Sequence, residues 1–105
     1  MSQNKYQLIW MEEIIELLSK QEPTRTEIIK CLQKSFGGKW TSSDYFRIVS
    51  AQNANNSGSE WQFLESIILK DESLGIIILD VLKGERVGGI EFLNLGQKSN
   101  NHLKG

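Results

Sequence analysis

The stretch Leu74–Leu95, LGIIILDVLKGERVGGIEFLNL, decides the fold of this chain. Two apolar segments flank Lys83-Gly84, a dipeptide that is typical of a tight turn between antiparallel strands. Ile76 to Leu79 are four consecutive apolar residues, so the first strand is apolar on both faces. Because 105 residues supply few elements to cover both faces, the hairpin predicts a second apolar face that is either covered or left for a partner.

The register of this hairpin assigns its residues to faces. A two-residue turn at Lys83-Gly84 places Leu82 opposite Glu85 and predicts a core face formed by Ile77, Leu79, Val81, Ile90 and Phe92. The second face then collects Ile76, Ile78, Asp80, Leu82, Val87, Gly89, Glu91 and Leu93. A three-residue loop would place Glu91 beside Ile77 and is disfavoured because it buries a charge. Gly88-Gly89 inside a strand indicates a bulge or a close approach of another segment.

Two helices are predicted before the sheet. Tyr6–Lys20 carries apolar residues at spacings of three and four, which is typical of an amphipathic helix. Pro23 ends that helix, and Thr24-Arg25-Thr26-Glu27 matches a capping box that starts a second one. The apolar face of the second helix is formed by Ile28, Ile29, Leu32 and Phe36, and Gly37-Gly38 ends it.

Strand periodicity follows the helices. The predicted strands are Tyr45–Ala51, Glu60–Lys70, Leu74–Leu82 and Glu85–Leu95, with a polar, Asn-rich loop at 52–59. In the second strand, alternation places Trp61, Phe63, Glu65, Ile67 and Leu69 on one face. The fold class is therefore α+β, with two N-terminal helices packed on one face of a four-stranded antiparallel meander, in the order α-α-β-β-β-β. Residues 1–105 form a single domain, ordered over about 6–95, with a frayed tail at 96–105.

Charge and cysteine content limit the function classes. The net charge is −1, from 12 basic and 13 acidic residues, without the basic stripe that a nucleic-acid binder usually shows. Cys31 is the only cysteine, which excludes an internal disulfide and fits a reducing compartment. The N-terminus lacks the apolar core of a signal peptide, and no apolar run approaches the length of a membrane span. We therefore expect a cytoplasmic protein that binds neither nucleic acid nor membrane.

No motif in the chain predicts catalysis, a metal site or a cofactor site. The only histidine, His102, lies in the predicted tail, and Cys31 is interpreted as a packing residue. Asp80 and Glu91 are spaced loosely like the acids of an Asp…Glu-x-Lys nuclease core, but Leu93 stands where that core has lysine. The two acids are instead interpreted as outward residues that discourage aggregation. We expect a protein that is not an enzyme.

The general layout resembles a group of known proteins. Two short helices followed by an antiparallel meander in about a hundred residues are similar to small bacterial immunity proteins of contact-dependent growth inhibition and related toxin–antitoxin systems. The hairpin Ile78–Leu95 also resembles the end of small uncharacterised bacterial domains. The resemblance implies a cytoplasmic domain that binds a cognate toxin domain and blocks its active site.

The expected partner-binding surface follows from this interpretation. Its aromatic anchors are Trp40, Tyr45 and Trp61, and its acids, suited to the basic cleft of a nuclease toxin, are Asp71, Glu72, Asp80, Glu85 and Glu91. Its remaining members are Ile76, Ile78, Val87 and Leu93. Two alternatives stay open: a cone-shaped α+β domain with a ligand-binding or catalytic pocket, and a homodimer formed through the free sheet face.

Overall fold

The computed structural model describes residues 2–35 and 37–93 and confirms an α+β fold with an antiparallel sheet. The elements are α1 (Ser2–Gln21), α2 (Thr26–Gln33), β1 (Lys39–Ser42), β2 (Tyr45–Arg47), β3 (Phe63–Asp71), β4 (Gly75–Leu82) and β5 (Arg86–Phe92). The prediction of four strands is wrong by one, because β1 was missed. The predicted frayed tail, the strand end at Leu95, Phe36 and His102 lie outside the described residues.

The strand order differs from a simple meander. It is β1-β2-β5-β4-β3, and every neighbouring pair is antiparallel. The short strand β2 pairs with β5 instead of β3, so residues 48–62 carry the chain from one side of the sheet to the other. The two edge strands are therefore β1 and β3.

The turn between β4 and β5 corrects the predicted register. Leu82 pairs with Arg86, so the loop has three residues, of which Gly84 (φ 85°) and Glu85 (φ 56°) are left-handed. A bulge at Gly88 then shifts the pairing by one more residue, so that apolar residues of β4 and β5 again lie opposite one another. Consequently Ile77 lies opposite Phe92 and away from Glu91.

The predicted core face of this hairpin is confirmed. Ile77, Leu79, Val81, Ile90 and Phe92 are all buried. The prediction for Val87 is wrong: the three-residue turn places it opposite Val81, and it is fully buried in the core cluster instead of lying on the second face.

Both helices pack on this one face of the sheet. Ile14 and Leu18 of α1 and Ile28 and Leu32 of α2 are essentially fully buried in the same cluster as Leu79. Burying one such side chain stabilises a fold by about 1.5–3 kcal/mol. The helices therefore define which side of the sheet remains available to a partner.

The start of α2 departs from its predicted capping box. The residue before the helix is Arg25, which makes no side-chain capping hydrogen bond, and Thr26 is the first helical residue. The Arg25 guanidinium instead forms an ion pair with Glu65 of β3. This hydrogen bond raises the pKa of Arg25, and it ties the start of α2 to the edge of the sheet.

Candidate protein-interaction surface

The candidate site is the side of the sheet that faces away from the helices. We call it the outer face, and its strand residues include Tyr45, Arg47, Ser66, Ile68, Lys70, Ile76, Ile78, Asp80 and Glu91, which alternate with buried residues. One end of the outer face is covered by residues 48–62, and the other end is open. The chain itself therefore covers one end of the outer face, and the other end is the candidate interface.

The covered end lies next to the turn between β4 and β5. The backbone N–H groups of Ile48 and Val49 donate to the Gly88 carbonyl at 2.8 and 3.0 Å. The Trp61 ring packs on Gly88 so closely that a Cβ there would lie 2.6 Å from Trp61 Cζ3. Leu82 is fully buried in the same region. The segment that contains the Asn-rich loop thus covers part of the second face, and Trp61 is only 8% exposed.

The centre of the outer face contains a polar contact between strands. The Tyr45 hydroxyl donates to Asp80 Oδ2 at 2.7 Å, and the Tyr45 ring lies over Gly89, leaving no room for a Cβ. Burial raises the pKa of Tyr45 above its usual value, and the hydrogen bond and charge of Asp80 raise it further. The Arg47 guanidinium lies 5.2 Å from the Tyr45 ring centroid and 5.4 Å from that of Trp61, within cation–π range.

The open end of the outer face is largely apolar. Ile68 pairs with Ile78, which pairs with Glu91 on its other side. Ile68 is 57% exposed, whereas Ile76, Ile78 and Glu91 are half-buried. The half-buried Leu93 donates its N–H to the Ile76 carbonyl and continues this end of the sheet. Ile78 is therefore the direct cross-strand neighbour of Glu91, and Ile68 lies on the far side of Ile78.

Several predicted interface residues lie elsewhere. Trp40 is half-buried on the helix side, with its ring 5.8 Å from that of Trp10 and 5.4 Å from that of Phe46. Glu72 lies in the turn between β3 and β4, and Glu85 lies in the turn at the other end of β4. Eight strand residues separate these turns, a distance of about 25 Å, so the two acids do not share one compact surface with each other.

Asp71 has a structural task at its own turn. Its Oδ2 accepts hydrogen bonds from the backbone N–H groups of Ser73 and Leu74 at 2.9 and 2.8 Å. Hydrogen bonds from the backbone to a side-chain carboxylate are typical of an aspartate that closes a tight turn. Of the predicted acids, Asp80 and Glu91 are therefore the two that belong to the outer face.

Residues of the Asn-rich loop line a groove on the surface. A groove of about 550 Å³ is lined by Ser50, Gln52, Asn53, Asn56, Ser57, Gly58, Ser59 and Glu60, and it is open and polar. Within residues 2–35 and 37–93, no cluster of three or more His, Cys, Asp or Glu residues has metal-binding geometry. Cys31 is half-buried, and its Sγ accepts the Val87 N–H at 3.3 Å, which explains the residue by packing and hydrogen bonding.

Comparisons with known proteins add no family assignment. No family model matches the chain, and neither a curated protein nor a solved structure is significantly similar to it. In the part of the chain that the structure describes, neither helix has the length and apolar character needed to cross a membrane.

Sequence reasoning missed the exposed apolar residues of β3. Phe63, Leu64 and Ile68 are 42%, 50% and 57% exposed, and within residues 10–35 and 37–93 they are the large hydrophobic side chains that are exposed. A pairing irregularity between Phe63 and Glu65 breaks the predicted alternation, so Phe63 leaves the face that Ile67 and Leu69 occupy. The only available sequence signal was the apolar character of both faces of this strand.

Proposed function

We propose that this chain is a non-enzymatic protein-binding domain that binds its partner through the open end of the outer face. The observation that carries the proposal is that Ile68, Ile76 and Ile78 lie on the same open end of the sheet as the half-buried Glu91, which pairs with Ile78. Apolar side chains supply contact area, and a charge among them selects for a complementary partner. The helices occupy the opposite side of the sheet and leave this surface accessible.

We further propose that the partner is a bacterial toxin domain, so that the chain acts as a cytoplasmic immunity protein. Support comes from the two-helix and antiparallel-sheet layout and from the acids of the outer face, which suit a basic active-site cleft. Tyr45 supports the same reading, since a half-buried aromatic beside an open apolar surface is a typical interface anchor. A nuclease is the toxin class with the most suitable charge.

The direct test is co-expression with the product of the neighbouring reading frame, followed by gel filtration and titration calorimetry of the purified proteins. We expect a stable complex with the wild-type chain. Ile78→Lys places a charge at the centre of the open end and should weaken binding at least about 30-fold, the effect of losing a central interface contact. Glu91→Lys should lower the association rate and its dependence on salt.

Gln33→Lys is the matched control, because it adds the same charge to an exposed position on α2, on the helix side. It should leave affinity unchanged. Failure to form any complex with the neighbouring product contradicts the immunity assignment. Equal affinities for the Ile78→Lys and Gln33→Lys variants contradict the assignment of the surface.

A further inference from the structure

The two edges of the sheet differ in how well they are protected from pairing with another strand. β1 has four residues and an irregularity between Trp40 and Ser42. β3 has nine residues, is irregular only at its start between Phe63 and Glu65, and contains Phe63, Leu64 and Ile68, whose side chains are exposed. Short or irregular edges resist strand pairing, whereas long apolar edges favour it.

The side chain of Gln21 shows which backbone groups of β3 face outward. Gln21 Nε2 donates to the Lys70 carbonyl at 2.7 Å, and the Lys70 N–H donates to Gln21 Oε1 at 3.0 Å. The Lys70 backbone therefore faces away from β4. Because backbone direction alternates along a strand, Ser66 and Ile68 also present their N–H and C=O groups to the free edge. No described residue bonds to these groups.

We propose that two copies of this chain pair through the free edges of β3, antiparallel and around a twofold axis at Ser66. The pairing joins two five-stranded sheets into one continuous sheet, with the outer faces side by side. A second copy is the occupant because the edge is self-complementary in this register. The inference concerns self-association alone and does not depend on the proposed toxin partner.

The register follows from charge and from Gln21. Centring the pair on Ser66 places Ile68 of one copy opposite Leu64 of the other, so exposed apolar residues meet. Centring it on Ile68 would place Glu65 opposite Asp71 of the second copy, and like charges directly opposite are destabilising.

Centring the pair on Ile67 is disfavoured for a different reason. It would extend the ladder to Lys70, whose N–H and C=O groups are already bonded to Gln21. The Ser66 register uses the part of the edge that Gln21 leaves free. The small Ser66 side chain also suits a twofold axis, where two identical side chains lie next to each other.

Light scattering during gel filtration tests the association. We expect a mass that rises with concentration from 12.0 kDa toward twice that value. Ile68→Lys should weaken the dimer at least about tenfold, because both copies lose an apolar contact and gain a charged edge residue. Thr41→Lys, an exposed position on the opposite edge strand β1, is the control and should dimerise as the wild type does.

Disulfide trapping tests the register in a Cys31→Ser background. In the proposed pair the two Ser66 Cα atoms lie about 5.5 Å apart, within the range of a disulfide. Ser66→Cys should therefore give a covalent dimer under mild oxidation. Ile68→Cys should give much less, since four residue steps, about 13 Å, separate the two positions.

Any one of three results would overturn the inference. The first is a mass of one chain at every concentration up to the solubility limit. The second is a dimer that Ile68→Lys leaves intact. The third is a Ser66→Cys variant that cross-links no faster than Ile68→Cys and Thr41→Cys. Ser66→Cys is conservative at an exposed position, so these readouts do not depend on a disruptive substitution.

Discussion

The hydroxyl of Tyr45 donates a 2.7 Å hydrogen bond to Asp80 and crosses the intervening strand β5 directly over Gly89. This contact links β2 to β4, although the two strands are not neighbours in the sheet. It also places a polar pair beside the apolar residues of the open end. The outer face is therefore preorganised at its centre, and a side chain at position 89 would be incompatible with that arrangement.

Gly89→Ala should destabilise the fold. An alanine Cβ would overlap the Tyr45 ring and hydroxyl, so the ring must move and its hydrogen bond with Asp80 must break. We expect a loss of about 1–3 kcal/mol in the free energy of unfolding, typical of overpacking. Thermal and urea unfolding monitor the change. Gly37→Ala is the matched control, because nothing lies within 4 Å of a Cβ at that position, and an equal loss in both variants would contradict the steric explanation.

Ionisation of Tyr45 should lower the free energy of unfolding at alkaline pH. Burial first, and then the hydrogen bond and charge of Asp80, raise the pKa of Tyr45 above its ordinary value of 10.0. Above about pH 10 the unfolded chain loses this proton before the folded chain does, so the unfolded state binds fewer protons and the free energy of unfolding decreases. The contribution is fully present below about pH 10 and is lost as the pH rises toward the folded-state pKa.

The Tyr45→Phe variant isolates this effect. Urea unfolding of both proteins at several pH values should give a steeper decline for the wild type above about pH 10. At neutral pH the variant should lose about 0.5–1.5 kcal/mol for the missing hydrogen bond. Parallel stability curves for the two proteins above pH 10 would show that Tyr45 does not carry the alkaline transition.

The α+β class and the core face of the hairpin were predictable because the spacing of apolar residues along the sequence reflects which side chains are buried. The residues Ile77, Leu79 and Val81 alternate with residues of the outer face, and the structure buries all three. The bulges were not predictable in the same way. Gly88 suggested an irregularity, but only the observed pairing shows that a three-residue turn followed by the bulge buries Val87 together with Ile90 and Phe92.

The strand order depended on information that local sequence does not contain. The pairing of β2 with β5 joins residues more than forty positions apart, such as Phe46 and Ile90. The connection 48–62 is long enough to bring β2 to either side of the hairpin, so sequential pairing was only a default. Because the strand order was not predictable, the position of β3 at the edge of the sheet was not predictable either. The exposure of Ile68 was missed for the same reason.

Cys31 should matter as a hydrogen-bond acceptor for the backbone. Its Sγ accepts the N–H of Val87, a fully buried residue next to the bulge. Cys31→Ala removes the acceptor and should cost about 1–3 kcal/mol, the usual penalty for leaving a buried donor unpaired. Cys31→Ser keeps an acceptor and should cost less. Urea unfolding under reducing conditions ranks the variants, and an alanine variant as stable as the serine variant would assign the residue to packing alone.

Adjacent residues of β3 should differ strongly in how much the same substitution destabilises the fold. Leu69 is fully buried on the helix side, whereas Ile68 is 57% exposed on the outer face. Leu69→Ala should cost about 2–5 kcal/mol because it removes core contacts and leaves a cavity. Ile68→Ala should change stability by about 0.5 kcal/mol or less when measured at a concentration too low for self-association. Chemical denaturation of both variants measures the difference, and similar losses at the two positions would mean that the outer face is covered at Ile68.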